Sequence, residues 1–144
     1  VTDFSFEVSS VLEAEVRTVL VQGLADHAVA ANVPPYTDHI ELVVTYRDDQ
    51  GRVLGGFSGE TFRDWLHVIR LWVDESVRGQ GIGKALMAQA EAEAIKRGCH
   101  SCYLYSGSFQ APQFYPKLGY KEFVVMQDFP VGHQRIGFMK RLVS

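Results

Sequence analysis

The sequence predicts one mixed α/β domain over residues 1–144, built around a single sheet. Three observations predict it. Stretches of alternating, β-branched residues recur along the chain, helix-like runs interrupt them, and glycine or proline punctuates the joins. The length of 144 residues suits one domain of ordinary size. With 47% hydrophobic and 22% charged residues, the chain can build a packed core and is not of disordered composition.

Each element has its own signal. Residues 10–32 place Val11, Leu12, Val16, Val19, Leu20 and Leu24 at helical spacing, with an interruption at Gly23 and an end before Pro34-Pro35. IELVVTYRDD alternates as a strand, Asp48-Asp49-Gln50-Gly51 reads as a hairpin turn, and RVLGGFSGETF reads as the return strand. The paired glycines of that strand suggest a bulge or a close backbone approach. LHVIRLWVD is apolar on both faces near its end, as a central strand is. Residues 83–97 are rich in strong helix formers and end at Gly98, where a terminating glycine belongs. SCYLYS is the next strand. QAPQFYPKLG reads as a short helix with Pro116 awkwardly inside it. YKEFVVMQDF and RIGFMKRLV close the chain as two strands joined by a loop with Pro130, Gly132 and His133.

Composition excludes several partner classes. A net charge of −3 without a basic block argues against nucleic acid. No apolar run reaches the ~18 residues that span a bilayer, and the N-terminus has neither the basic nor the apolar region of a signal peptide. Cys99 and Cys102 in GCHSC lack a second ligand pair at zinc-like spacing, so they read as small buried residues and no metal site is expected. Nothing asks for an oxidising compartment, and a cytoplasmic protein is expected.

The turn RGQGIGK, residues 78–84, lies between the apolar strand LHVIRLWV and the alanine-rich helix. A helix start carries unpaired N–H groups and the positive end of the dipole, and glycines let an anion approach them. Strand, glycine turn and helix together make a phosphate site, with Arg78 and Lys84 adding charge. A P-loop is excluded, because Ala85 stands where a hydroxyl is required and Arg78 where a glycine is. A dinucleotide fingerprint also fails. Lys84 occupies the last glycine position, and no acidic residue lies in Ser101–Tyr105 to hold a ribose. A tight turn without a ligand remains a reading of the motif taken alone.

Arg78, Gly81 and Gly83 also satisfy R/Q-x-x-G-x-G/A. This pattern resembles the pyrophosphate-binding signature of the GCN5-related N-acetyltransferase (GNAT) family. LWVDESVRGQGIGKALM is similar to that family's strand, bulge, turn and helix, and SFQAPQFYPKLGYKEF to its second signature. The ending FPVGH…FMKRL resembles a subgroup of small bacterial members. The resemblance covers residues 39–142 well and the N-terminal helix loosely. It implies a central, mixed, mostly antiparallel twisted sheet flanked by helices, and acetyl transfer from acetyl-CoA to an amine, most simply that of a small molecule. Monomer and homodimer both remain open.

The resemblance also implies roles. The main chain of Gly79, Gln80, Gly81, Ile82, Gly83 and Lys84 would hold the pyrophosphate, with Arg78 assisting. Leu71, Trp72 and Val73 would pair with the pantetheine arm like an added strand, and an N–H near Val73 would face the developing oxyanion. Trp72 also reads as a core aromatic. Ser108, Phe109, Gln110 and Phe114 lie where the family's cofactor passes, and Lys117 is either a phosphate contact or an ordinary exposed lysine. Tyr115 occupies the position of the acid that serves the leaving thiolate. For the base, Glu60 is the first choice among Glu60, Asp64, His67, Asp128 and His133. A salt-bridged surface Glu60 and a packed His67 are the alternatives. Asn32, Trp65 and His133 are expected around the acceptor. Against an enzyme stand a CoA-binding regulatory module and an NAD(P) oxidoreductase; within the enzyme class, a protein N-terminal or lysine acetyltransferase is the alternative.

Overall fold

A computed structural model describes residues 4–34 and 39–144, and its contacts divide the chain into two units, 1–37 and 38–144. In the first unit, helix α1 (Ala14–Ala30) runs unbroken through Gly23. Gln22 donates to Asp26 across that glycine at 2.8 Å, and one glycine costs a 17-residue helix only about 1 kcal/mol. The helix ends in a turn at Asn32, whose φ is +58°. Pro35 lies outside the described residues.

The second unit holds six strands: β1 (Ile40–Arg47), β2 (Val53–Phe62), β3 (Trp65–Val73), β4 (Ser101–Gly107), β5 (Lys121–Gln127) and β6 (Gln134–Arg141). Their order across the sheet is β1-β2-β3-β4-β6-β5, and only β3 and β4 run parallel. The β1–β2 hairpin closes as its turn residues require. The Asp48 carboxylate accepts from the N–H groups of Gln50 and Arg52, and Gly51 takes a φ of +83°.

Helix α2 (Ile82–Lys96) lies on one face of the sheet. Its Leu86, Met87, Ala90 and Ala94 pack on Leu42, Phe57, Leu66, Val68, Leu104 and Phe138, all fully buried. Alternation therefore turns Glu60, His67, Tyr103 and Tyr105 to the opposite face. Tyr120, Glu91 and Lys140 tie the helix to the far strands. The Tyr120 hydroxyl donates to Glu91 at 2.9 Å, and Lys140 pairs with the same carboxylate at 2.9 Å. Cys99 and Cys102 are buried free thiols, and burial pushes the Cys102 thiol up to about 12.

The short helix is shorter than its sequence suggests. α3 covers only Phe114–Lys117, and its exit is a tight turn in which Gly119 takes a φ of +93°. The Gly119 N–H bonds the Pro116 carbonyl and the Tyr120 N–H the Tyr115 carbonyl, so a glycine cap ends the helix after one turn, with Pro116 tolerated in its first turn.

Candidate active site where two strands part

β3 and β4 pair only over three residues each, Trp65–His67 against Ser101–Tyr103. Beyond them the strands diverge and leave a cleft of about 860 Å³. Two local features shape the β3 wall. The register against β2 shifts between Ser58 and Gly59, which leaves Ile69 as an extra residue, a β-bulge. After the bulge, the inward set changes from Leu66 and Val68 to Leu71 and Val73, which pack against the core.

The edge of β3 that faces the cleft is not paired with another strand beyond His67. The Val73 carbonyl turns that way and accepts from Arg78 Nε at 2.9 Å. The Trp72 carbonyl points instead toward Gly55 of β2. By alternation Leu71 presents its N–H and C=O to the cleft as Val73 does. An extended chain laid beside them would find an unpaired strand edge.

The glycine turn forms the mouth. Asp74 caps a single 3-10 turn, Glu75–Val77, and Arg78 then leads into the glycines. Gly79 and Gly81 have φ of +79° and +80°, a region that side chains rarely enter. A Cβ at either position would meet nothing within 4 Å, so the approach to the backbone is open. The first helical bond runs from Ala85 N–H to the Gly81 carbonyl, so the N–H groups of Ile82, Gly83 and Lys84 have no partner within the helix. Gly83 has a different reason. A Cβ there would come into contact with the Phe114 ring at 3.4 Å, where α3 rests on the start of α2.

The expected cofactor residues thus mostly converge. Leu71, Trp72, Val73, Arg78, Gly79, Gly81, Ile82, Gly83, Lys84, Gln110 and Phe114 line the cleft, as does Tyr115, the expected acid. Gln80 lines a smaller hollow between β1 and α2 instead. Ser108 and Phe109 do not line the cleft. Ser108 is tied to β6 by paired bonds with Gln134, and Phe109 packs edge-on against His133. Lys117 also lies off the lining. Ile69, Leu104, Tyr105 and Ser106 line the cleft without any signal of their own; only the parting of the strands brings them there.

Tyr115 is half-buried among Phe114, Tyr120 and Phe138, and burial pushes its hydroxyl up to about 12. The phenol therefore keeps its proton at any ordinary pH and can serve as a donor. Gln110 is fixed by bonds from the Gly107 N–H and the Ser106 hydroxyl to its Oε1, at 2.8 and 3.2 Å.

Glu60 sits on the far face at the level where the strands begin to part, opposite His67 in the β2–β3 register. His39 Nδ1 lies 2.8 Å from its carboxylate and His67 Nδ1 3.6 Å. Burial pushes the Glu60 carboxyl up, but the His39 hydrogen bond and the two imidazoles outweigh that and hold it below its usual range. His67 stacks on Tyr103 with ring centres 4.5 Å apart, and Trp65 packs edge-on against Tyr103 and His100. His133 stands in the β5–β6 loop, and Asn32 belongs to the N-terminal unit. The His39 contact escapes a sequence reading, since only the β1–β2 register creates it.

Comparison with known proteins agrees with this architecture. Residues 38–122 match the family model described as acetyltransferase (GNAT) domain. The chain is 38% identical over 118 residues to acetyltransferase Atu2258 of Agrobacterium fabrum, covering 81% of this chain and 83% of that protein. It is 40% identical over 95 residues to blasticidin-S acetyltransferase of Streptomyces morookaense, covering 65% and 70% respectively. The crystal structure of an acetyltransferase from Bacillus cereus superposes with a TM-score of 0.81 at 32% identity, covering 94% of this chain and 97% of that one. The chain belongs to the GNAT acetyltransferase family, and it is an acetyltransferase.

Proposed function

We propose that this enzyme moves an acetyl group from acetyl-CoA to an amine of a small-molecule acceptor by direct attack. The observation that carries the reading is continuity. One cleft runs from the glycine turn, along the unpaired edge of β3, to the point where β3 and β4 part. The residues present suit coenzyme A. The open turn and three free N–H groups at the start of α2 fit a diphosphate, with Arg78 and Lys84 beside it. Leu71 and Val73 fit an extended amide-bearing arm. When bound, acetyl-CoA supplies the acetyl group as a reactive thioester.

The chain's own residues supply the rest. Main-chain N–H groups on the cleft edge of β3, near Val73, face negative charge on the carbonyl oxygen. Tyr115 keeps its proton and offers it to the departing sulfur. Glu60 and its imidazoles supply the negative charge and the proton acceptor on the acceptor side. Trp65 and His133 remain the proposed acceptor contacts, and Ser108, Phe109, Gln80 and Lys117 the outlying cofactor contacts.

Similarity to an enzyme named for blasticidin S supports a small-molecule acceptor over a protein one. The same reading carries a cytoplasmic location, a compartment in which free thiols such as Cys99 and Cys102 persist. The test is CoA release from acetyl-CoA with a panel of small amines that includes blasticidin S, beside peptides with free N-termini and lysines. Turnover confined to small amines is expected. Turnover confined to peptides would replace the acceptor class.

A further inference from the structure

Glu60 is a poor choice to take the acceptor's proton directly. Its carboxylate is already shared between two imidazoles, and the amine to be deprotonated is a far stronger base than a carboxylate. Imidazole is the side chain that changes charge between about pH 5 and 8. One of the two imidazoles stands at the right place. His67 and Tyr103 are the last residues paired before β3 and β4 separate, and Val68 and Leu104, which follow them, already line the cleft. Side chains of His67, Tyr103 and Tyr105 share the face away from α2, and Tyr105 also lines the cleft.

From this geometry we infer that His67 takes the proton from the acceptor's ammonium and that Glu60 positions it. The inference rests on the proposed function and names the acid–base residues of that site. Glu60 faces His67 Nδ1 at 3.6 Å, an ion-pair separation longer than a hydrogen bond. A carboxylate on that side favours the proton on Nδ1 and leaves the Nε2 lone pair bare. Parallel stacking on Tyr103, with 3° between the rings, fixes the plane of the imidazole. His39 holds the other side of the arrangement by its 2.8 Å bond to Glu60. In the step itself the ammonium N–H bond breaks, its electron pair stays on nitrogen, and the proton goes to Nε2 and from there to solvent.

Three further observations fit. The side chains of His39, Glu60 and His67 are 38, 24 and 29% exposed, so the site is supported yet reachable. The groups facing His67 are Glu60 from β2, Tyr103 from β4 and, through Glu60, His39 ahead of β1. Burial and the Glu60 charge push the Tyr103 hydroxyl up, so it stays neutral beside the ring.

The first arm of the test needs neither donor nor acceptor. Histidine-ring nitrogen–proton correlation spectra, assigned with His67→Gln, report the tautomer. The expected result is a neutral His67 protonated on Nδ1, with that preference lost in Glu60→Gln. A wild-type proton on Nε2, or a tautomer indifferent to Glu60→Gln, overturns the proposal. The second arm uses the amine turned over fastest in the panel. His67→Gln should lower kcat by about 10²-fold at pH 7. The deficit should shrink about tenfold for each pH unit toward the amine's own pKa, while acetyl-CoA affinity and melting temperature hold. No loss, or an equal loss at every pH, overturns the proposal and leaves acetyl transfer standing. Failure of the wild type to bind acetyl-CoA would instead remove the parent reading and this one with it.

Discussion

Gly81 shows how one residue can matter twice. Its φ of +80° is strained for any residue with a side chain, at roughly 1–2 kcal/mol, and its amide edge is open to an anion. The sequence motif alone suggests that Gly81→Val blocks the phosphates and leaves the fold largely kept. The backbone angle adds a cost to the start of α2. Gly81→Ala is expected to lower both melting temperature and acetyl-CoA affinity, by calorimetry; an unchanged value of both contradicts the role. Tyr115→Phe should lower kcat by about 10²-fold. Because the phenol titrates only at about 12, no limb of the pH–rate profile below pH 10 should belong to it. A limb that vanishes in Tyr115→Phe would contradict that. Glu60 gives an acid signature. Its folded carboxyl lies below the unfolded value of about 4.3, so the stabilisation is present above that pH and is lost as pH falls through the folded value. Glu60→Gln should flatten the fall in melting temperature on that side, and an identical acid limb would argue against it. At this scale the sequence was legible where chemistry is local, as in the turn at 78–84. It was silent on His39, which reaches Glu60 only through strand pairing.

At the scale of elements, the β2–β3 ladder sets the geometry of the site. Gly59 faces Val68 beside the bulge, and a Cβ there would press into the His67 carbonyl and the Phe57 ring. Gly59→Ala is therefore expected to destabilise the protein by about 1–3 kcal/mol in denaturant unfolding, and to disturb the His67 ring signals. An unaltered midpoint would show that the ladder can yield. The paired glycines of RVLGGFSGETF suggested a bulge or a close approach, and Gly55 does lie against the Trp72 carbonyl; the bulge and the tightest approach, to the His67 carbonyl, fall instead at Gly59, outside that pair. Strands and the long helix α2 were readable because their periods are regular over many residues. The length of α3 was not, because Pro112 and Pro116 compete with a favourable run over only a few residues. The parting of β3 from β4 left no mark in either strand. It arises from how two separate segments of chain are placed, and it decides that Ile69, Leu104 and Tyr105 line the cleft.

For the whole molecule, the family resemblance supplied the order of the signatures and the fold, and the sheet order and the family match bear both out. Two compact units, 1–37 and 38–144, were not visible in composition. The acceptor depends on the shape of a surface rather than on a motif, which is why no stretch of residues names it. In the proposed function the turn at Gly81 and the unpaired edge of β3 hold acetyl-CoA. Titration calorimetry of the folded protein with acetyl-CoA tests it most directly. Saturable heat at one molecule per chain is expected, with the affinity sharply reduced in Gly81→Ala. Absence of heat from well-folded wild type, or equal affinity in that variant, would contradict it.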